Sequence, residues 1–388
     1  MGMFLLCTFL MIILYPLGID LYLVAVPRIA QTLQGSEAQI HTAFSIYLLG
    51  MAATVLPGGM LADRHGRRPV VLVGALIFMV ASLVAAEATG IAQFYLGRFW
   101  QGVGAGALYI MTFTVLRDVL SQARLAMALS LINGVICVIP VLAPVLGYLI
   151  LSHFEWRGIF VGMALVAAIS ALVNLRLLKE TRPARQPAGA SPLALLGMAP
   201  FMQRALLTSA SVTAILVYVS VSPLVLMTTF GLTPEQYTRL MMAMAGVSMS
   251  ASFLTPLLLR WLGKARVLAL SHLAYLLALL ALLCSSGPEG GLSWLLAGCA
   301  LVCIGFSCGF GVAMGEALDV CGDQVASASA LLCIMQIGLS GLFIWGMGHL
   351  GMPALWMLIL ALLLALLGYL VVKVLLPWRA VRRVRARG

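Results

Sequence analysis

Apolar runs of spanning length recur along the whole chain, and this one feature excludes most folds before any motif is considered. A membrane-crossing helix needs about 20 consecutive apolar residues, because the hydrocarbon core is about 30 Å thick and each residue rises about 1.5 Å. The runs lie near 4–26, 40–61, 70–88, 93–116, 126–151, 158–178, 204–227, 237–259, 266–286, 292–315, 326–348 and 353–376. The alternating pattern of a membrane barrel is absent, so the sequence predicts an all-α polytopic membrane protein with twelve spans. Composition closes the soluble alternative: 63% of the 388 residues are hydrophobic and 9% are charged, whereas a soluble domain carries about 25% charged residues. The first run, from Phe4 to Leu14, has no basic leader or small-residue cleavage site before it, and is read as a retained first helix.

One break divides the runs. Glu180 to Pro192 is rich in Pro, Gly, Ser and charge, the composition of a linker. The expected organisation is a six-helix bundle at 1–179, a cytoplasmic linker at 180–203, a second six-helix bundle at 204–376 and a basic cytoplasmic tail at 377–388. The halves also echo each other. Leu259-Arg260-Trp261-Leu262-Gly263-Lys264-Ala265-Arg266 falls between the second and third spans of the second half, where the first half has Gly59 to Arg68, but Arg260 stands in place of Asp63.

The net charge of +11 is topological information rather than a nucleic-acid footprint, because the basic residues sit in turns between spans. With both termini in the cytoplasm, nineteen of the 23 Lys and Arg residues fall on the inner side and only Arg28, Arg157 and Arg239 on the outer side. One inner loop dissents, since Glu316, Asp319 and Asp323 have no Lys or Arg beside them in the sequence. The eight cysteines lie mostly inside apolar runs, with no CxxC pair and no His cluster, and read as buried packing thiols rather than a metal site. No cofactor is expected. No nucleophile–base pair appears in the spans, so the chain is not expected to be an enzyme.

Charge inside a span costs at least about 2.5–3.5 kcal/mol on insertion scales and calls for a reason. Asp20 in the first span and Arg98 in the fourth are the clear cases. Counted from the expected span ends, both lie roughly 8–9 Å below the outer surface and could meet there. They read either as a proton site or as a buried pair that fixes helix register. Gln101, Asn133 and Gln336 can bond across helices, and together with Tyr22, Tyr47, Tyr109 and Tyr218 they are candidates to line a substrate cavity. Gly102, Gly104 and Gly106 lack the strand that a nucleotide loop requires and predict close helix packing instead. Pro140 and Pro144, followed by Gly147, kink the fifth span.

The stretch Gly59-Met60-Leu61-Ala62-Asp63-Arg64-His65-Gly66-Arg67-Arg68 is a short charged turn that returns the chain to the same membrane face. It matches the G-x-L-a-D-r-x-G-r-k loop pattern of the major facilitator superfamily, with Arg for the final Lys. Tyr15-Pro16-Leu17-Gly18-Ile19-Asp20, Leu116-Arg117-Asp118 and Val138 to Gly147 extend the likeness. The chain resembles that superfamily over essentially its full length, and within it the twelve-span drug:proton antiporters of the bicyclomycin/chloramphenicol-resistance kind. The resemblance implies that Asp20 and Arg98 couple protons. It implies that Gly59, Asp63, Arg64, Gly66, Arg67 and Arg68, with Asp118, form a conformational switch. Pro140, Pro144 and Gly147 fall in the antiporter pattern of the fifth span, although Ile139, Ala143 and Tyr148 replace three of its glycines. Ile12 stands where some related pumps carry a second acid, which favours neutral or zwitterionic drugs over cationic ones.

The function expected from these readings is proton-coupled export of amphipathic, chloramphenicol-like drugs from the bacterial inner membrane by a monomer. The alternative is a transporter of a sugar, amino acid or other small metabolite, since a fold does not fix its substrate.

Overall fold

A computed structural model describes residues 2–182, 192–285, 291–321 and 325–375. The basic tail, Asp323 and most of the proline-rich linker lie outside the described residues, and so does the side chain of Asn133. Helix α1 covers Gly2–Thr32 with a break, α2 Glu37–His65, α3 Arg67–Ala86, α4 Ile91–Val119 and α5 Gln122–Leu177. Helix α6 covers Ala199–Pro223, α7 Pro234–Ser285, α8 Gly291–Asp319, α9 Val325–His349 and α10 Ala354–Tyr369. Two of these are each two spans run together. Glu155 (φ 58°) bends α5, and Gly263 (φ 77°) bends α7. Divided there, the described residues form twelve helical segments and no strand. In lipid each backbone N–H and C=O must be satisfied within its own segment, and helices do this wherever the apolar runs fall. The protein is an all-α, multi-pass membrane protein.

Local chemistry fixes the helix ends. Ser36 and Gln39 form a reciprocal capping box at the start of α2, and Thr233 and Gln236 form one before α7. Gly66 (φ 101°, ψ 163°) joins α2 to α3, and Gly263 (φ 77°, ψ 164°) joins the two arms of α7. The same positive-φ turn therefore recurs at corresponding places in the two halves. Among non-helical backbones this region is open essentially to glycine alone.

Two compact units emerge. The first comprises Met1–Ala188, Ser222–Ala243 and Gly341–Met352, and the second Gly189–Val221, Met244–Ser340 and Pro353–Gly388. Helix α4 is the centre of the first unit. Its Gly102 and Gly106 meet the α2 backbone at Tyr47 and Met51, while Gly104 meets α3 at Gly74 and Phe78. A Cβ at any of the three would collide with those atoms, so the glycines act in helix packing, as their sequence context predicts. In the second unit Gly305 and Gly309 of α8 lie against Tyr275 and Ser271 of α7, and Ser271 donates to the Gly305 carbonyl at 2.7 Å. Hydroxyl pairs add cross-helix bonds there: Ser248 with Ser307 at 2.6 Å and Thr213 with Ser340 at 2.9 Å.

Candidate functional site

The first unit holds two polar constellations. One is buried around Arg98, and its position follows from a defect in α1. Regular helix stops at Asp20, a 3₁₀ turn covers Leu23–Ala25, and helix resumes at Val26. Gly147 of α5 lies against the Leu21 carbonyl, an approach that a Cβ would block. The break thus presents Asp20 and Tyr22 beside α5 and α4.

Arg98 is fully buried. Its guanidinium lies between two aromatic faces, 4.4 Å from the Tyr22 ring centroid and 4.5 Å from that of Tyr47. One terminal nitrogen donates to the Gly18 carbonyl at 2.9 Å and the other to Gln101 Oε1. Gln101 passes the constraint on, donating to Ser82 Oγ at 2.8 Å and lying 3.2 Å from Met163 Sδ. Tyr47 donates to the Tyr15 carbonyl at 2.9 Å, and the Tyr15 ring meets Tyr109 edge-on at 5.3 Å. Each cation–π contact is worth roughly 0.5–2 kcal/mol, the upper figure applying to desolvated sites such as this one. The arrangement holds a permanent cation in the protein with no carboxylate on it.

Two readings of Asp20 and Arg98 were open, a proton site and a buried pair. Arg98 grips the backbone two residues before Asp20, and the two side chains form no ion pair. Helix α1 also continues past the expected span end to Thr32. Asp20 is only 7% exposed, and no salt bridge among the described residues includes it. Tyr22 and Tyr47 are both fully buried as walls of the arginine cage.

The second constellation lies at the opposite end of the same helices, around Gly66. Arg67 is buried and makes three bonds: to Asp63 Oδ1 at 2.7 Å, to the Ala62 carbonyl at 2.8 Å and to Asp118 Oδ2 at 2.9 Å. Arg68 donates to the Leu175 carbonyl at 2.6 Å. The Arg64 carbonyl accepts from Arg182 at 2.8 Å, while Gly59 has open space where a Cβ would stand. Sequence reasoning missed the organiser of this end. Glu180, read only as the first residue of the linker, accepts the backbone N–H groups of Arg67, Arg68, Thr181 and Arg182 at 2.8–3.2 Å. Partial burial works to raise its pKa, but the four N–H donors outweigh it and hold Glu180 below the ordinary value of 4.5. The available signal was an acid at the end of a span, on the face that carries the arginine-rich turn.

The dissenting acidic loop also acquires partners. Lys264 lies 3.0 Å from Asp319, and Lys373 pairs with Glu316. Lys264 follows Gly263 as Arg67 follows Gly66, so the Arg67–Asp118 pair has a counterpart in the second unit. Of the remaining candidates, Pro144 offers its carbonyl to Thr238 at 3.4 Å, Pro140 lies half-buried in the same arm, and Asn133 falls in α5. Tyr218 and Gln336 are buried in the second unit, Gln336 lying 3.5 Å from Met314 Sδ.

Residues 8–340 match the family model described as Major Facilitator Superfamily. The chain belongs to that superfamily; it is a membrane transporter and not an enzyme. It is 46% identical over 364 residues to multidrug resistance protein MdtL of Klebsiella pneumoniae strain 342, with 92% of each chain covered. It is 44% identical over 369 residues to the MdtL of Escherichia coli O81, covering 94% of this chain and 93% of that one. Among solved structures, a D-xylose–proton symporter matches with a TM-score of 0.77 at 14% identity, covering 96% and 97% of the two chains. A bacterial homologue of the human lysosomal transporter Spinster, inward-facing and unoccupied, matches with a TM-score of 0.73 at 17% identity and covers 96% of each chain. At these identities the two structures speak to the fold alone.

Proposed function

We propose that this protein is a proton-coupled multidrug efflux antiporter of the bacterial inner membrane, exporting amphipathic, chloramphenicol-like drugs. It acts as a monomer with both termini in the cytoplasm. On this reading the Gly66 end faces the cytoplasm, in keeping with its arginines. The bundles at 1–179 and 204–376 rock to expose a central site to each side in turn.

The observation that carries the proposal is the state of Asp20. It is a carboxyl group at a helix break, nearly buried and in no salt bridge among the described residues, two residues from the Gly18 carbonyl that Arg98 holds. A charge left in such a place without an ion pair is costly, so burial goes with a proton on Asp20 and loss of the proton goes with access to water. Protonation from outside then accompanies drug release, and deprotonation inside resets the pump. The cage keeps Arg98 fixed on the same stretch of α1, held at the Gly18 carbonyl rather than in a salt bridge with Asp20. The Asp63–Arg67–Asp118 bonds hold the cytoplasmic ends of α2, α3 and α4 together as one switch. Relatives named for multidrug resistance support drugs over metabolites as cargo.

A resistance profile tests the proposal. Expression in a bacterial strain stripped of its own pumps should raise tolerance to chloramphenicol, and Asp20→Asn should abolish the gain at equal membrane abundance. Growth on a sugar or amino acid that depends on the chain, with no drug tolerance, would replace it with the metabolite reading.

A further inference from the structure

We infer that Tyr237 is a positioning residue for proton transfer, covering Asp20 from the outer side and holding it out of water; this rests on the function proposed above. Four observations within the first unit converge on it. Pro223 ends α6, and a wide π-helical turn over Leu224–Thr229 carries the chain to the capping box at Thr233. That box fixes the first turn of α7, which presents Tyr237 and Thr238. The Tyr237 hydroxyl is then tied to Ser222 Oγ at 3.2 Å, joining the two ends of the connection, and Tyr237 is fully buried. Thr238 lies 3.4 Å from the Pro144 carbonyl, one turn from where Gly147 packs on Leu21. A single stretch of α5 therefore touches the residue after Asp20 and the residue after Tyr237. In keeping with that, Tyr237 interacts electrostatically with both Asp20 and Tyr22.

The groups within electrostatic range of the Asp20 carboxyl are then Tyr22 on its own helix, Tyr47 on α2 and Tyr237 on α7. All three are phenols, and Arg98, the cation of the cage, is engaged with Gly18 and Gln101. A phenol can pack against a neutral carboxyl group but cannot neutralise a carboxylate. Tyr237 in place and a proton on Asp20 favour each other. An ionised Asp20 needs water, and water enters from the outer side only when Tyr237 leaves. The coupling of charge to outer closure is thereby assigned to one aromatic side chain, with Ser222 as its anchor.

The test uses everted vesicles carrying the full chain, acid inside, with internal pH followed in the absence of drug. Tyr237→Ala should raise drug-independent proton leak by about tenfold, as a small shift in the closed population would. Combining it with Asp20→Asn should return the leak to background, because the path runs through that carboxyl. Ser222→Ala keeps the ring and should leak to an intermediate extent, which keeps the test open if Tyr237→Ala fails to accumulate. Background leak in Tyr237→Ala and in Ser222→Ala, or a leak that survives Asp20→Asn, would overturn the inference. Drug-triggered proton release by the wild type, read in the same vesicles, reports separately on the proposed antiport.

Discussion

Glu180 takes the backbone N–H of Arg67 at 2.8 Å on one carboxylate oxygen and that of Arg68 at 3.2 Å on the other. A residue just beyond the end of α5 thus caps the first turn of α3, from 113 positions away in sequence. Replacing it leaves the first N–H groups of α3 to water and lets the arginine turn loosen. Glu180→Ala should lower stability by about 1 kcal/mol, the ordinary worth of a helix cap. It should slow transport more than that figure suggests, because Arg67 loses its register. Thermal unfolding in detergent and drug efflux at equal abundance check the two parts.

The same contact carries a pH dependence. Glu180 sits below its ordinary value of 4.5 in the folded protein. Its contribution is therefore complete above that value and is lost as pH falls through the lower, folded value. The difference in unfolding temperature between wild type and Glu180→Gln should be constant near neutral pH and shrink only in strong acid. A difference that already vanished at pH 6 would show that the carboxylate is not what holds the turn.

Gly66 and Gly263 share a backbone conformation but not surroundings. A Cβ at Gly66 would strike the Glu180 carboxylate, whereas nothing lies within 4 Å of a Cβ at Gly263. Both alanine variants should bear a backbone strain of about 1–3 kcal/mol. Only Gly66→Ala should also displace Glu180 and impair transport. Equal loss of transport in the two variants would contradict this.

The paired basic residues after those glycines differ in the same sense. Arg67 is 5% exposed and holds two carboxylates, while Lys264 and Asp319 are each 64% exposed. Arg67→Ala should cost about 3 kcal/mol or more, as breaking a buried pair does. Lys264→Ala should cost about 1 kcal/mol or less, as exposed pairs do. Chemical or thermal unfolding of the two variants side by side settles the comparison.

Arg98→Lys tests the cage. Lysine retains the charge but has neither the flat face that Tyr22 and Tyr47 cover nor the fork that reaches Gly18 and Gln101 together. Drug-driven proton movement should fall by about tenfold or more, a loss of at least about 1.4 kcal/mol in transition-state terms. Activity within twofold of wild type would mean that charge alone is required at this position.

Much of this was legible from sequence because membranes leave few options. Apolar runs of fixed length marked the spans, and the turn from Gly59 to Arg68 marked the arginine-rich constellation around Gly66. Asp20 and Arg98 stood out because charge in lipid is rare. What was not legible depends on contacts between distant segments. Nothing near Arg98 in the chain says that tyrosines from α1 and α2, rather than Asp20, receive its guanidinium. Glu180 looked like linker because its partners are backbone groups, which leave no mark on composition. Lys264 lies 55 residues from Asp319, so the acidic loop seemed unpaired when read along the chain. The tyrosines expected to line a cavity had no sequence signal separating an aromatic that packs on a cation from one that faces a ligand.

Asp20 is proposed to carry the proton exchanged for drug. Everted vesicles energised to be acid inside, with internal pH followed while chloramphenicol is added, test it most directly. Drug-triggered proton release is expected from the wild type and none from Asp20→Asn at equal abundance. Proton release of wild-type size from Asp20→Asn would contradict it.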